Sequence, residues 1–136
     1  MAARSKARRR AVEVLYEVDL RDQDADDGLE SLAARMQTPV NPYTEQIVRG
    51  VQQHRDQIDE TLATYAQGWT LDRMPAVDRA ILRVGTWELM WSEVPEAVAL
   101  AEAVGLANDL STDESGKYIN GVLARINEVK SRIARD

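Results

Sequence analysis

The chain has 136 residues, enough for one domain with a substantial hydrophobic core, and its 44% hydrophobic and 29% charged residues are typical of a globular protein. The absence of cysteine excludes disulfides, thiolate zinc sites and thiol nucleophiles, and no apolar run is long enough for a membrane span or a signal peptide. The net charge is -6, but the first ten residues carry five cations and no acidic residue, so the remainder carries -11. We expect a cytoplasmic protein without a membrane segment, whose positive charge is concentrated at one end.

Two patterns overlap in the first segment, from Arg4 to Leu20. Its cations cluster at the start, and they are Arg4, Lys6, Arg8, Arg9 and Arg10. Its apolar residues recur at spacings of four, three and four, which predicts an amphipathic helix whose first turns carry the cations. A helix N-terminus favours acidic residues by roughly 0.3–1 kcal/mol each, so the fold does not require this cluster. Binding to phosphates would explain the cations; the alternative is that they only solvate the start of the chain.

The second predicted helix is short. An acidic polar loop over residues 21–28 leads into a capping-box pattern made by Asp27 and Glu30, and apolar residues follow at helical spacing. The segment 37–40 contains a proline and ends this helix.

A longer apolar stripe follows. Asn41-Pro42 is typical of a helix start, and the stripe continues to Tyr65, with Gly68 as a plausible stop. This pattern predicts either two helices or one kinked helix. His54, the one histidine of the chain, lies within it, and a packed side chain explains that residue better than a metal ligand or a catalytic base.

The second half of the chain contains the most hydrophobic segment. Residues 69–74 connect the halves, and Pro75 opens a helix that runs to Trp91. Apolar residues face nearly all round this helix, which predicts a buried central element. Residues 92–95 interrupt it, and an alanine-rich helix over residues 96–110 follows.

The last helix is expected to begin at another capping box, formed by Ser111 and Glu114. Its inner face contains regularly spaced isoleucine, valine and leucine residues. Gly121 lies within this helix, where glycine costs about 1 kcal/mol relative to alanine, so we expect it to allow a close helix–helix approach. We expect the same of Gly105 in the preceding helix.

These elements predict an all-α fold, because no segment alternates with the period of a strand. We expect about seven helices in two packed sub-bundles, roughly residues 1–67 and 68–136, that share one core. The sequence has no glycine-rich nucleotide loop, no nucleophile motif and no group of metal ligands. We therefore expect no enzyme activity, no metal and no cofactor.

Aromatic residues accompany the cations at two places. Tyr16 lies two turns beyond Arg9 on the first helix, and Lys117 precedes Tyr118 near the start of the last helix. Such pairs can bind single-stranded nucleic acid, with the cation near a phosphate and the ring stacked on a base. The alternative is that both tyrosines are packing residues beside solvated cations.

Four segments spread over nearly the whole chain carry a resemblance to a known family. They are the basic opening into Arg10–Tyr16, residues 69–84 leading to Leu89, the stretch from Val94 to Val104, and Lys117–Leu123. With these segments the chain resembles the NusB family of bacterial transcription antitermination factors, and Trp-Thr-Leu-Asp-Arg at residues 69–73 looks actinobacterial.

The resemblance implies an all-helical protein that binds a single-stranded boxA element in nascent RNA together with ribosomal protein S10, also called NusE. That complex joins other Nus factors on RNA polymerase and suppresses premature termination, chiefly in ribosomal RNA operons. By position, the RNA-binding residues would be Arg4, Lys6, Arg8, Arg9, Tyr16, Lys117 and Tyr118. The S10-binding residues would be Tyr65, Asp72 and Asp78. Ser5 departs from the pattern, because relatives often carry another arginine within this basic run.

Two alternatives remain at this point. The chain could be a helical adaptor that binds only proteins, or the N-terminal module of a ribosomal RNA cytosine methyltransferase, which would need a Rossmann-like domain after Asp136. The sequence leaves open whether the protein is a monomer or a homodimer. If the cations bind RNA, replacing Arg8 and Arg9 with alanine should weaken that binding and leave thermal stability unchanged or raised.

Overall fold

The computed structural model describes residues 2–133, and within that range the chain forms seven α-helices and no strand. The all-α prediction and the predicted number of helices are confirmed. The helices are α1 (Ala3–Arg21), α2 (Ala25–Met36), α3 (Pro42–Gln53), α4 (Arg55–Tyr65), α5 (Ala76–Trp91), α6 (Glu96–Leu110) and α7 (Asp113–Val129), and a 3-10 turn follows at Lys130–Arg132. None of these helices is long and apolar enough to cross a membrane.

Helix α5 is the central element, as its all-round apolar pattern predicts. Every residue from Ala80 to Met90 is buried, and α1, α3, α6 and α7 pack around the helix. One buried hydrophobic cluster contains side chains from all seven helices, so the two halves of the chain share a core. The division into sub-bundles over residues 1–67 and 68–136 stays a prediction, and its outermost residues, Met1 and 134–136, lie outside the described range.

Two helix starts differ from the predicted ones. Asp24 is the N-cap of α2, and its side chain and that of Asp27 bond reciprocally to the backbone. Asp27 therefore occupies the third helical position that the prediction gave to Glu30. Thr112 caps α7, one residue after Ser111. Neighbouring polar residues offer more than one possible N-cap, so the local sequence does not fix the first residue of the helix.

The long stripe of the first half forms two helices, one of the two predicted alternatives. His54 lies between α3 and α4, and its half-buried ring stacks on Trp91 with 4.1 Å between ring centroids and 12° between planes. This contact agrees with the packing role expected for the histidine. Helix α4 ends at Tyr65, and Gly68 follows in the left-handed region at φ 84°, a conformation that favours glycine.

Gly105 and Gly121 do not mediate the close helix contacts predicted for them. A Cβ atom placed on either residue would meet no neighbouring atom within 4 Å. Close approach occurs at other glycines: a Cβ on Gly50 would overlap the indole ring of Trp87. The sequence alone could not separate these cases, because the contact depends on the facing helix.

The open position of Gly121 and the crowded position of Gly50 predict opposite effects of an alanine substitution on stability. We expect Gly121→Ala to raise the free energy of unfolding by about 0.5–1 kcal/mol, because alanine loses less backbone entropy at an open helix position. We expect Gly50→Ala to lower it by about 1–3 kcal/mol, because the added methyl group must displace the Trp87 ring. Urea denaturation of both variants checks this. Stabilisation by Gly50→Ala would contradict the described packing.

An ion-pair network fixes the last turns of α1 to α4 and α5. Asp19 accepts a hydrogen bond from Nε of Arg79 at 2.7 Å and another from Nη1 of Arg83 at 3.2 Å. Arg83 also donates from Nε to Asp59 of α4 at 2.8 Å. Burial alone raises the pKa of Asp19, but the hydrogen bond from Arg79 and the charges of the surrounding arginines outweigh it, so the pKa lies below its ordinary value.

We expect Asp19→Asn to lower the free energy of unfolding at pH 7 by about 1–3 kcal/mol. Because the folded pKa lies below the unfolded one, this stabilisation is complete above the ordinary carboxyl pKa of about 3.9 and is lost as pH falls through the folded pKa. Denaturation curves at pH 7 and below pH 3 should therefore show a shrinking difference from the unsubstituted chain. Asp26→Asn is the control, because its carboxylate pairs with Arg49 on the surface. A difference that does not change with pH would contradict the role of this carboxylate.

Candidate nucleic-acid interface

The cations at the start of α1 occupy three different environments. Arg8 faces inward against α5, whereas Arg4 lies exposed over an aromatic ring of α3. Lys6, Arg9 and Arg10 line a surface groove. Arg4 and the three groove residues can therefore be reached by a ligand, whereas Arg8 cannot.

Arg8 was predicted to contact phosphate, but the structure places its side chain in the interior of the protein. Its side chain is 2% exposed, and Nε donates to both carboxylate oxygens of Glu88 at 3.0 and 2.9 Å. Nη1 donates to Glu102 at 3.1 Å. The guanidinium is therefore held by two carboxylates of the protein itself. Buried charges are retained when they are paired in this way, so Arg8 anchors α1 on α5 and does not offer a free site for phosphate.

Tyr43 belongs to the same cluster, although the sequence indicates only a core position on α3. Its hydroxyl donates to Glu88, and Cζ of Arg4 lies 4.4 Å from the centroid of its ring, a cation–π geometry. Burial and the hydrogen bond to Glu88 both raise the pKa of Tyr43. Ser5, the uncharged residue within the basic run, donates its hydroxyl to Glu102. The first turns of α1 are thus held in place from two sides.

We call the groove beside these turns the cationic groove. It is lined by Lys6, Ala7, Arg9, Arg10, Leu32, Met36, Asn41 and Thr44. Lys6 is exposed, and the side chains of Arg9 and Arg10 are 37% and 47% exposed. Arg9 lies 3.7 Å from Glu13 and 3.7 Å from Asp109, and Arg10 lies 3.1 Å from Glu13. Exposed ion pairs of this kind are worth about 0–1 kcal/mol, so a phosphate can replace them.

Tyr16 lies in a second groove along the same helix, which we call the tyrosine groove. Its apolar floor and charged rim consist of Val12, Glu13, Tyr16, Glu17, Leu20, Arg21, Arg35, Val77 and Leu110. Tyr16 is 41% exposed and Leu20 is 57% exposed. An exposed tyrosine ring above an apolar floor can stack on a base. Two of the predicted cations, Lys6 and Arg9, and the predicted Tyr16 therefore line two grooves along the same helix.

Lys117 and Tyr118 lie elsewhere, in a groove between α4 and α7. This α4–α7 groove is lined by Thr64, Tyr65, Gln67, Lys117, Tyr118, Gly121, Val122 and Arg125, and by none of the predicted cations of α1. Lys117 is 78% exposed. The hydroxyl of Tyr118 donates to the carbonyl of Gln67 at 3.2 Å, its ring contacts Trp69 edge-on, and burial raises its pKa. The structure thus groups Tyr118 with Tyr65, a residue predicted for the S10 side.

The two predicted acidic S10 contacts have different surroundings. Asp72 is exposed, and a hydrogen bond from Thr70 lowers its pKa. Asp78 is completely buried and accepts a hydrogen bond from the hydroxyl of Ser115 at 2.7 Å. Asp78 therefore joins the start of α5 to the start of α7. It was predicted to contact S10 at the surface, but its contact is internal. A contact across 37 residues leaves no local trace in the sequence.

Comparison with known proteins agrees with this architecture. The NusB family pattern matches residues 5–128. The transcription antitermination protein NusB of Arthrobacter sp. (strain FB24) is 55% identical over 131 residues, which cover 96% of each chain. Among solved structures, NusB of T. maritima is 28% identical with a TM-score of 0.82, covering 94% of this chain and 92% of that one. A chain in a crystal structure of NusB and NusE in complex with dsRNA is 26% identical with a TM-score of 0.82, covering 93% and 96%.

These matches extend over nearly the whole chain, and the resemblance inferred from the four sequence segments is confirmed. The solved structures agree with the all-helical fold. The chain belongs to the NusB family.

Proposed function

We propose that this protein is a transcription antitermination factor that binds single-stranded boxA RNA together with ribosomal protein S10 (NusE). The complex would join other Nus factors on RNA polymerase. The observation that carries the proposal is that the cationic groove and the tyrosine groove are both built on α1. The relatives support a role with RNA and NusE: the Arthrobacter protein is named for antitermination, and a similar solved chain comes from a structure of NusB and NusE in complex with dsRNA.

The proposed mechanism is a clamp without catalysis. Arg4, Lys6 and Arg9 would neutralise phosphates, and Tyr16 would stack on a base, an interaction worth roughly 1–3 kcal/mol. Arg8 would act indirectly, by holding α1 on α5 so that its neighbours point toward the RNA.

The α4–α7 groove would be where RNA and S10 meet. Lys117 and Tyr118 remain proposed RNA contacts, and they share this groove with Tyr65, a proposed S10 contact. Asp72 is the second proposed S10 contact, since its exposed negative charge suits a basic ribosomal protein. Asp78 is left out because it is buried.

The alternatives predicted from the sequence receive less support. The relatives that match nearly the whole chain are named as antitermination proteins, which favours that function over a methyltransferase module. We propose that the protein has no catalytic activity and acts in the cytoplasm, where bacterial transcripts are made. A purely protein-binding adaptor would not need exposed cations beside an exposed tyrosine.

The test is a fluorescence anisotropy titration with labelled boxA RNA and with a scrambled RNA of equal length, at a stated salt concentration, with and without S10. We expect tighter binding to boxA than to the scrambled RNA, and a further increase in affinity when S10 is present. Equal affinities for the two RNAs, together with binding to S10, would favour the adaptor and overturn the proposal.

A further inference from the structure

We propose that Glu13 limits the RNA affinity of this protein by competing with RNA phosphates for Arg9 and Arg10. The inference rests on the proposed function, because it concerns the same surface. It adds a residue that opposes binding, and this residue was not among the predicted RNA contacts. Glu13 thereby sets how strongly the cationic groove can hold RNA.

The carboxylate of Glu13 forms ion pairs with both Arg9 and Arg10. Glu13 lies one turn beyond both arginines, with Oε2 3.1 Å from Nη1 of Arg10 and Oε1 3.7 Å from Nε of Arg9. Asp109 of α6 approaches Arg9 from a second direction, with 3.7 Å between Oδ2 and Nη1. A phosphate that binds Arg9 or Arg10 must displace these oxygens or bind beside their negative charge.

Along α1, Glu13 lies between the two arginines and Tyr16. Arg9 and Arg10 line the cationic groove, whereas Glu13 lines the tyrosine groove together with Tyr16. A single strand that follows α1 from these cations to Tyr16 would pass Glu13. A phosphate bound to Arg9 or Arg10 would lie well within a Debye length of the Glu13 carboxylate, so salt screens their repulsion only in part.

The fold has little need of this carboxylate. Glu13 is 35% exposed, and its arginine partners are 37% and 47% exposed, so the pairs contribute little to stability. This distinguishes Glu13 from Glu88 and Glu102, which hold the buried side of α1. Substitution of Glu13 can therefore change RNA binding without unfolding the protein.

The test is Glu13→Gln, which removes the charge and keeps the size of the side chain. We expect the affinity for boxA RNA to rise about three- to tenfold near 0.1 M salt. The log–log salt slope should steepen by about 0.7 for each additional phosphate that the protein neutralises. Glu60→Gln on α4 makes the same change in net charge at an exposed residue that lines neither the cationic groove nor the tyrosine groove, and it should have a much smaller effect. Thermal melting of both variants should match that of the unsubstituted chain.

A second arm repeats Glu13→Gln in a chain with Arg9→Ala and Arg10→Ala. The increase in affinity should disappear there, because the competing cations are gone. An increase that persists, or that Glu60→Gln reproduces, would show a general charge effect and overturn the proposal, as would the absence of any increase. If the unsubstituted chain does not prefer boxA to scrambled RNA, with or without S10, the proposed function fails and this inference with it. Binding by the unsubstituted chain without tighter binding by Glu13→Gln would overturn the inference alone.

Discussion

Glu88→Gln is expected to lower the free energy of unfolding by about 3–5 kcal/mol, the largest effect of a single substitution that we predict. Glu88 is 1% exposed on the central helix α5, and it accepts hydrogen bonds from Arg8 and from the hydroxyl of Tyr43. The glutamine would leave the Arg8 guanidinium buried with only the partly exposed Glu102 as a charged partner. An uncompensated buried charge is far more costly than the loss of an exposed ion pair.

Urea denaturation at pH 7 measures this effect, with Glu60→Gln as the surface control. A double variant, Arg8→Met with Glu88→Leu, removes both charges and should recover part of the lost stability, because apolar replacements can fill a former ion-pair site. A loss below about 1 kcal/mol in Glu88→Gln would contradict the described role of the pair.

The same cluster changes the expected result for Arg8→Ala combined with Arg9→Ala. From the sequence, this variant should leave thermal stability unchanged or raised. In the structure, Arg8→Ala leaves Glu88 buried without its arginine partner, so the variant should be destabilised. Loss of RNA binding in that variant would then not distinguish a missing phosphate contact from a displaced α1.

Local patterns predicted most of the fold. The positions of the helices follow from apolar spacing within each segment, and the burial of α5 follows from apolar residues on all its faces. Helix starts were harder to place, since Asp24 and Asp27, like Ser111 and Thr112, offer neighbouring capping residues. The close contacts predicted at Gly105 and Gly121 were wrong. The position of the facing helix decides whether there is room for a side chain, and the sequence does not specify that position.

In the candidate site too, some residues could be predicted from local spacing and others could not. Lys6, Arg9 and Tyr16 lie on one helix, so their spacing predicts adjoining exposed positions on α1. Arg8 and Asp78 have partners 80 and 37 residues away, and only the tertiary fold reveals that these charged side chains are buried. Burial of a charge depends on the partner that neutralises it, and no local signal carries that information.

The structure also explains why the most informative RNA-binding variant avoids Arg8. Lys6 and Arg9 both line the cationic groove, and neither makes a buried hydrogen bond in the described part of the chain. Their charges can therefore be removed without leaving a buried partner unpaired. With only two cations removed, the change in the salt slope can be assigned to one or two phosphates.

Lys6→Ala combined with Arg9→Ala is expected to weaken binding to boxA RNA about 10–30-fold near 0.1 M salt. Each neutralised phosphate of a single strand adds about 0.7 to the log–log salt slope, so a variant that neutralises two fewer phosphates should show a slope smaller by about 1.4. Anisotropy titrations at several salt concentrations measure both quantities in one experiment. Thermal stability should stay within about 0.5 kcal/mol of the unsubstituted chain, since both side chains are surface groups.

The control for this variant is Arg49→Ala combined with Arg132→Ala, which removes the same charge at exposed residues of α3 and the 3-10 turn. The control should weaken binding only slightly, because long-range charge is screened within about 10 Å at this salt concentration. If the two double variants lose affinity equally and their slopes fall equally, RNA binds through the overall field of the protein. An unchanged slope in Lys6→Ala with Arg9→Ala would mean that no phosphate lies in the cationic groove, and Tyr16 would then have to act without the cations beside it.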